Sequence, residues 1–535
     1  MLPTTSAEFR RISRVALGDI IHRSASLRGA RLAVVDGDHR LTHQQLDARS
    51  SQFAHHLLTE HDGAHVATLC ANSIDMLVAI YGINKAGSVW VPVNIQLAPA
   101  QIDYILRHAE VSYLVIDEDM LARPEISDVV TKLDLALVIS RPTAATSGRL
   151  TMAAATSGRP SELPDIEIAG DQLALIMYTS GTTGDPKGVM HSHASAYSAI
   201  IANIATLGIT ESDVISAMLP LFHCAQHVLA TSALAAGAAI VLTRGFAPSA
   251  ALHMIGGDHV TIFAGLPMMY VAMLDHPQAP GTDFSSVRLC LYAMAPMPRP
   301  LIDRIATTID ADVWLVTGQT EAYPITMRFL PMQHPSLEAN YWGESTVVCE
   351  TGIMDDQGRL LPPGEIGEIV HRGPNIMLGY FKDPQATAAA QAYGWHHTGD
   401  LGTINADGQL LFLDRKKDMI KTGGENVPSV KVESVLLAHP AITDAAVIGV
   451  PHPHWSEAIV AVVVRSPGQE CSVEDILRHC RRYLGVFEVP KDVVFVQSLP
   501  HTATGKVLKT VLRGTYDSHF ARHPSPGQAT PVSGQ

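Results

Sequence analysis

The feature that most restricts the fold is an alternation, met twice, between short β-rich runs and longer helical ones. From Arg31 to Asn94 the chain reads "RLAVVDG", "QLDARSSQFAHHLL", "HVATLC", "IDMLVAIYGINKAG" and "VWVPVN". A second passage reads "AAIVLTRGF", "PSAALHMIGGDHV", "TIFAGLP", "SVRLCLYA", "RPLIDRIATTI" and "DVWLVTG". Strands separated by helix-length segments join as parallel neighbours through crossovers, so the pattern predicts βαβ units and two α/β lobes. Between them "AATSGR" occurs twice, at Ala144–Arg149 and Ala154–Arg159, in a small, polar segment expected to be a surface excursion without a packed core.

After about Gly343 the texture changes to short strands and many turns. The "DDQG" and "NADG" turns between apolar runs read as hairpins, giving a small β-barrel-like part. From Asp414 charge rises abruptly in "DRKKDMIKTGGENVPS", and an α+β pattern of domain size follows. The expected architecture is α/β: a large N-terminal domain of two lobes over residues 1–413, a small mobile α+β domain over 414–520, and a disordered tail over 521–535.

A chain of 535 residues exceeds what one core serves, in keeping with several domains. Its 38 basic against 52 acidic side chains, a formal charge of −14, argue against a general nucleic-acid binder, which must neutralise phosphates. The six cysteines form no C-x-x-C pair, so neither a disulfide framework nor a zinc ribbon is expected. There is no charge-free apolar run of membrane-spanning length, and the N-terminus is charged throughout. These traits predict a cytoplasmic protein without stable membrane insertion; a monomer or a homodimer is expected, without a trait in the sequence that chooses between them.

The most distinctive short stretch is "YTSGTTGDPKGVMHSH", Tyr178 to His193, between a strand-like run "DQLALIMY" and a helix-like run "SHASAYSAIIANIATL". Glycines there permit consecutive backbone N–H groups to converge on one anion; the hydroxyls add donors and Lys187 adds charge, a combination suited to polyphosphate. It is not a Walker loop, because Gly188 stands where Ser or Thr should follow the lysine, and no G-x-S-x-G elbow occurs.

"YTSGTTGDPKG" resembles the phosphate loop of the adenylate-forming ligases, the superfamily of acyl-CoA synthetases, luciferases and peptide-synthetase adenylation domains. Further matching stations follow in order: "LPLFH", "GLPMMY", "YAMAPMP", "GQTE", "GWHHTGD", "DRKKDMIKTGGENV" and "TATGK". The resemblance implies two half-reactions, attack of a carboxylate on the α-phosphorus of ATP and capture of the acyl-adenylate by a nucleophile, commonly the thiol of coenzyme A. It assigns Thr179, Ser180, Gly181, Thr182, Thr183, Gly184 and Lys187 to the leaving phosphates, Thr320 to the α-phosphate and Glu321 to Mg²⁺. Ala293, Ala295, Pro296, Thr317, Gly318 and Gln319 would lie beside the nucleotide, Asp400 would accept from the ribose, and Arg415 would reach ribose or phosphate. Lys506 would bind the carboxylate during adenylation, Asp414 would be the hinge, and Gly423 and Gly424 would line the thiol tunnel.

Several positions depart from the family pattern. Thr317 stands where an adenine-covering tyrosine is usual, leaving adenine packing to Tyr292, Ala293 to Pro296 or Tyr323. His223 resembles the gate beside the acyl carbon, and Phe222, Cys224, Leu266, Met268, Met294 and Met297 would make an apolar pocket. No Lys or Arg stands in those stretches to meet a second acid group. The expected substrates are therefore an apolar fatty or aryl carboxylic acid, ATP with Mg²⁺, and coenzyme A; the alternative is an amide bond synthetase with a free amine as acceptor. Histidines 223 and 227 share i,i+4 spacing, but H-E-x-x-H is absent, so a zinc protease is not expected; His191 and His193 read as loop-to-helix structure.

Overall fold

The computed structural model describes residues 14–61, 63–142, 148–179, 186–293, 297–337, 339–501 and 507–522. They form two compact units. The first comprises Met1–Gly352, Val370–Thr398 and Ala406–Leu410; the second comprises Ile353–Ile369, Gly399–Asn405 and Leu411–Gln535.

The first unit is built on two sheets. One has seven strands in the order Gly379–Tyr380, Lys187–Ser192, Leu173–Thr179, Val89–Pro92, His65–Leu69, Tyr113–Asp117 and Ala136–Ser140. Its last five strands are parallel neighbours, as the βαβ rhythm predicts, and its first two are antiparallel additions. Nine successive strands of the other sheet lie in the order Tyr341–Ser345, Met327–Phe329, Asp312–Thr317, Leu289–Tyr292, Ile262–Gly265, Val214–Ala217, Ala239–Leu242, Leu32–Asp36 and His39–Thr42. Leu32–Asp36, which reads as the opening strand of the first lobe, pairs in parallel with Ala239–Leu242 of the second, Val34 opposite Ile240.

Four helices, His43–Glu60, Ile74–Lys85, His193–Leu207 and Cys224–Ala236, share one core with strands from both sheets. Ile74–Lys85 is buried along its whole length except at Asp75, which suits a sequence apolar on every side. Gly82 allows close approach to the helix beside it; a Cβ there would stand 2.7 Å from the Phe53 ring and 2.9 Å from the Ser50 carbonyl oxygen. The outer faces are covered by Pro99–His108 and Pro124–Leu133 on one sheet and by Pro248–Gly256, Pro267–Leu274 and Arg299–Ile309 on the other. Lys85, fully buried, directs its ammonium at Asp47 Oδ1 (2.5 Å), Asp47 O (2.9 Å), Ser50 Oγ (2.8 Å) and Ser51 Oγ (2.9 Å). Burial draws its pKa down to about 8 against the opposing pull of Asp47.

The second "AATSGR" is not an excursion. Met152–Thr156 is helical, Met152 and Ala155 join the central core, and Arg159 bonds the carbonyls of Ala155 and His55 and reaches Glu60. Two apolar positions three apart sufficed to dock it, a signal its small-residue composition obscured.

In the second unit Glu425–Val427, Ile420–Thr422, Ser456–Arg465 and Ile442–His452 form a sheet, with Asp492–Val496 parallel to Ser456–Arg465. Ala458–Val463 is wholly buried because helices cover both faces: Ser429–Leu437 and Val473–Tyr483 on one, Lys509–Tyr516 on the other. Among the described residues no helix is long and apolar enough to cross a membrane.

Candidate active site

Thr179 ends one strand and Lys187 begins the next, and the two are cross-strand partners. The glycine loop between them therefore closes a β-hairpin, where sequence reasoning expected strand, loop, then helix. The helix starts only at His193, capped by Ser192, because Lys187–Ser192 first extends the sheet as a strand. Ser180, Gly181, Thr182, Thr183 and Gly184 lie outside the described residues, as do Met294, Ala295, Pro296 and Lys506.

Across from this strand the chain leaves Asp312–Thr317 and makes a single 3₁₀ turn, Thr320–Ala322. The turn is tied down from several directions. His191 Nε2 donates to the Thr320 carbonyl (2.7 Å), Met377 N to the Glu321 carbonyl (2.8 Å) and Asn375 Nδ2 to the Ala322 carbonyl (2.9 Å). Asn203 brackets the exit, donating to Pro324 O and accepting from Ile325 N, each at 3.1 Å. Gln319 places its Oε1 3.2 Å from His396 Nε2 and donates through Nε2 to Thr398 O at 3.1 Å.

Two functional candidates meet at a residue that sequence reasoning missed. The Tyr380 hydroxyl donates to Glu321 Oε1 (3.0 Å), and the Lys187 ammonium stands 5.0 Å from the Tyr380 ring centre. Burial and the Glu321 carboxylate push the phenol far up, so it remains a donor. No spacing rule marks Tyr380, which lies about two hundred residues downstream of the lysine it faces.

The remaining candidates of this unit fall as follows. His223 is the N-cap of the helix Cys224–Ala236, whereas His227 is fully buried within it. Cys224 Sγ lies 3.5 Å from Thr320 Oγ1, and Phe222 packs against the central core. Leu266 caps Pro267–Leu274, Met268 is 72% exposed on that helix, and Met297 is buried among the outer helices. Ala293 directly follows Leu289–Tyr292, Gly318 packs against Pro324, and Thr317 Oγ1 is buried with no hydrogen-bond partner among the described residues. Tyr323 does not face a nucleotide. It is fully buried, its ring against His191 (4.8 Å) and its hydroxyl 2.5 Å from His227 Nδ1. Tyr292 is likewise buried in the outer core.

In the second unit Asp400 and Arg415 pair at 3.4 Å, the carboxylate buried and the guanidinium half-exposed. Asp414 is buried at the start of Ser429–Leu437. One carboxylate oxygen accepts from Ser429 N (2.5 Å) and Oγ (2.6 Å), the other from Arg415 N (2.7 Å), so a negative charge sits on a helix N-terminus. Gly423 and Gly424, with φ of +59° and +89°, make a two-residue hairpin between Ile420–Thr422 and Glu425–Val427. They line a cleft of about 690 Å³ with Trp455, Val486, Phe487 and Lys491, whose ammonium stands 4.8 Å from the Trp455 ring.

The sequence pattern of the AMP-binding enzymes matches residues 21–381, and that of the AMP-binding enzyme C-terminal domain matches residues 431–506. The chain belongs to the AMP-binding enzymes. It is 34% identical to the feruloyl-CoA synthase of an Amycolatopsis species over 93% of this chain and 98% of that one. Its fold is similar to ATP-bound MatB from Rhodopseudomonas palustris, with a TM-score of 0.84, 28% identity, and coverage of 94% of this chain and 99% of that one. It is also similar to the o-succinylbenzoate CoA synthetase MenE of Bacillus subtilis in complex with its acyl-adenylate intermediate, with a TM-score of 0.81, 28% identity, and coverage of 92% and 98%. The ordered motifs thus led to the right superfamily.

An AMP-binding enzyme of this superfamily uses ATP with Mg²⁺, and the first unit has a donor set that fits them. A hard divalent cation takes carboxylate oxygen, which Glu321 offers, and phosphate oxygens take an ammonium, which Lys187 offers; Tyr380 touches both side chains.

Proposed function

We propose that the chain is an ATP- and Mg²⁺-dependent ligase that joins an apolar fatty or aryl carboxylic acid to coenzyme A. A carboxylate oxygen bonds to the α-phosphorus of ATP while the bond to the β-phosphate breaks and pyrophosphate leaves. The coenzyme A thiol then attacks the acyl carbon, gives up its proton, and AMP departs. The first nucleophile is already an anion, so the protein's task is positioning and charge compensation rather than proton abstraction.

The convergence of Lys187 and Glu321 on Tyr380 carries this reading. Lys187 and the hydroxyl-rich loop would hold the leaving phosphates, Thr320 would hold the α-phosphate, and Glu321 would hold Mg²⁺, which neutralises phosphate charge when bound. Asp400 and Arg415 would serve the ribose, and His223 and Met268 would border the acyl group. Lys506 would grip the carboxylate during adenylation, and a swing about Asp414 would exchange it for the Gly423–Gly424 hairpin during thiolation. The cleft beside that hairpin supports coenzyme A as acceptor: an aromatic face, an ammonium and apolar walls suit a nucleotide joined to a thiol arm. We place the protein in the cytoplasm, where ATP and coenzyme A are at hand and its six free, buried cysteines stay reduced.

Pyrophosphate release measured over a panel of carboxylic acids tests the first half-reaction, and its absence with every acid would sink the ligase reading. Coenzyme A and a set of amines, each added to the active acid with products weighed by mass spectrometry, test the second. A thioester mass is expected, and amide products alone would replace coenzyme A with an amine.

A further inference from the structure

His191 lies on the same strand as Lys187, four residues on, so both side chains project from one face of the sheet, about 13 Å apart along the strand. Its ring is fully buried. The Thr320 carbonyl can only accept, so Nε2, at 2.7 Å, carries the proton, and Nδ1 faces Ser195 Oγ at 3.3 Å. Tyr323 closes over the ring at 4.8 Å and is itself held by His227, whose Nε2 lies 3.4 Å from Thr231 Oγ1; that hydroxyl lies 3.1 Å from the Tyr81 hydroxyl. Burial draws the His191 pKa down to about 4, so the ring is neutral and donates through one nitrogen.

Nothing in the adenylation chemistry requires an imidazole here, because the ring is walled off from any substrate. The contact instead joins two elements from different sheets. We propose that His191 is a positioning residue for adenylation: through the Thr320 carbonyl it fixes the turn bearing Thr320 and Glu321 to the strand bearing Lys187, setting the distance between the two groups that flank the phosphates. The assignment rests on the reading of those groups given above. Loss of the His191 donor would take away the bond that holds this buried main-chain acceptor, which favours relaxation of the turn.

Three variants separate positioning from mere bulk. His191→Leu fills the space without a donor, His191→Gln places an amide N–H where Nε2 was, and His191→Asn is one methylene too short to reach. Each is assayed for acid-dependent pyrophosphate release, for thioester formation from supplied acyl-adenylate, for deuterium uptake of the peptide spanning residues 318–325, and for its unfolding midpoint. With His191→Leu and His191→Asn, adenylation kcat should fall about 10- to 100-fold, a range expected from misplacement of about 1 Å. Acid KM and thioester formation should both stay within about threefold of the parent. Deuterium uptake should rise in 318–325 but not in Leu173–Thr179, and His191→Gln should restore most of both readouts.

Equal loss of both half-reactions, equal behaviour of the Gln and Asn variants, or unchanged uptake in 318–325 would overturn the proposal. If His191→Leu does not fold, the Gln and Asn pair decides it. If the parent releases no pyrophosphate with any acid, the functional reading fails, while deuterium uptake still judges whether His191 braces the turn.

Discussion

The turn Thr320–Ala322 and the hairpin at Gly423–Gly424 both carry residues proposed to meet substrates, yet they are built on opposite principles. The turn is short, and the buried side chains of His191, Asn375 and Asn203, with the backbone of Met377, hold it and its exit from Thr320 to Ile325. The hairpin has two residues at positive φ, and exposed side chains such as Val486, 89% accessible, border its cleft. In-line displacement at phosphorus tolerates little misplacement, so its groups are over-determined by neighbours. Admission of a long flexible thiol asks for backbone that lets atoms pass closely, and glycine supplies it.

The largest expected effect tests how far the first unit depends on its buried polar ties. Lys85→Ala strips a buried ion pair of one partner and should lower the stability of the first unit by about 3–5 kcal/mol in urea titration. The loss should appear whatever the acid or acceptor supplied; a shift under about 1 kcal/mol would show that water replaces the ammonium easily. Next in size, Glu321→Gln keeps shape but removes charge, and acid-dependent pyrophosphate release should drop about 10²- to 10³-fold. A loss of the same size in thioester formation from supplied acyl-adenylate would erase the contrast between the two regions.

Acid reaches the first unit through its enclosed imidazoles. Burial holds His191 and His193 down to about 4 and His227 and His371 down to about 3, against 6.5 for the free side chain. Below pH 6.5 the unfolded chain therefore binds more protons than the folded one, so stability is intact above that value and falls as pH drops toward 4. Each group should add a slope of up to about 1.4 kcal/mol per pH unit, read from urea midpoints at a series of pH values. A flat profile between pH 6.5 and 4.5 would contradict the burial of these rings. The smallest effect belongs to the open region: Trp455→Ala should raise the KM for coenzyme A about tenfold and leave pyrophosphate release within about twofold. A fall in pyrophosphate release of the same size would mean that the cleft serves adenylation as well.

The same contrast governs what the amino-acid order reveals. Apolar runs disclosed several strands of both sheets, because each run must be buried whatever surrounds it, and Leu173–Thr179 falls where "DQLALIMY" was read as a strand, whereas Tyr113–Asp117, Ala136–Ser140 and Val214–Ala217 went unread. The ordered motifs singled out Lys187, Thr320 and Glu321 as candidates, because phosphate chemistry restricts residue types at short spacing. The contacts of Tyr380 and His191 with these candidates were not legible in the sequence. They come from pairing between strands far apart in the chain, and neither residue carries a local pattern. The inward turn of Tyr323 was equally hidden: an aromatic after "GQTE" reads as a ring available to a ligand, and only the buried His227 opposite it shows otherwise. The strand Lys187–Ser192 was masked by helix-like residues that directly follow it.

Leu32–Asp36 pairs on one edge with the adjacent His39–Thr42 and on the other with Ala239–Leu242, roughly two hundred residues downstream. On the ribosome, the N-terminal segment therefore cannot complete its native sheet until the middle of the protein has emerged. The apolar strand Leu32–Asp36, paired with His39–Thr42 on one side only, must wait with its other edge open while the seven-stranded sheet has most of its members in hand, which makes that interval the one in which a chaperone or a crowding partner has most to gain. Truncation before Ala239 should yield not a smaller folded lobe but a segment whose Leu32–Thr42 strand pair lacks its parallel partner, and the two lobes that look separable on paper are obliged to mature together.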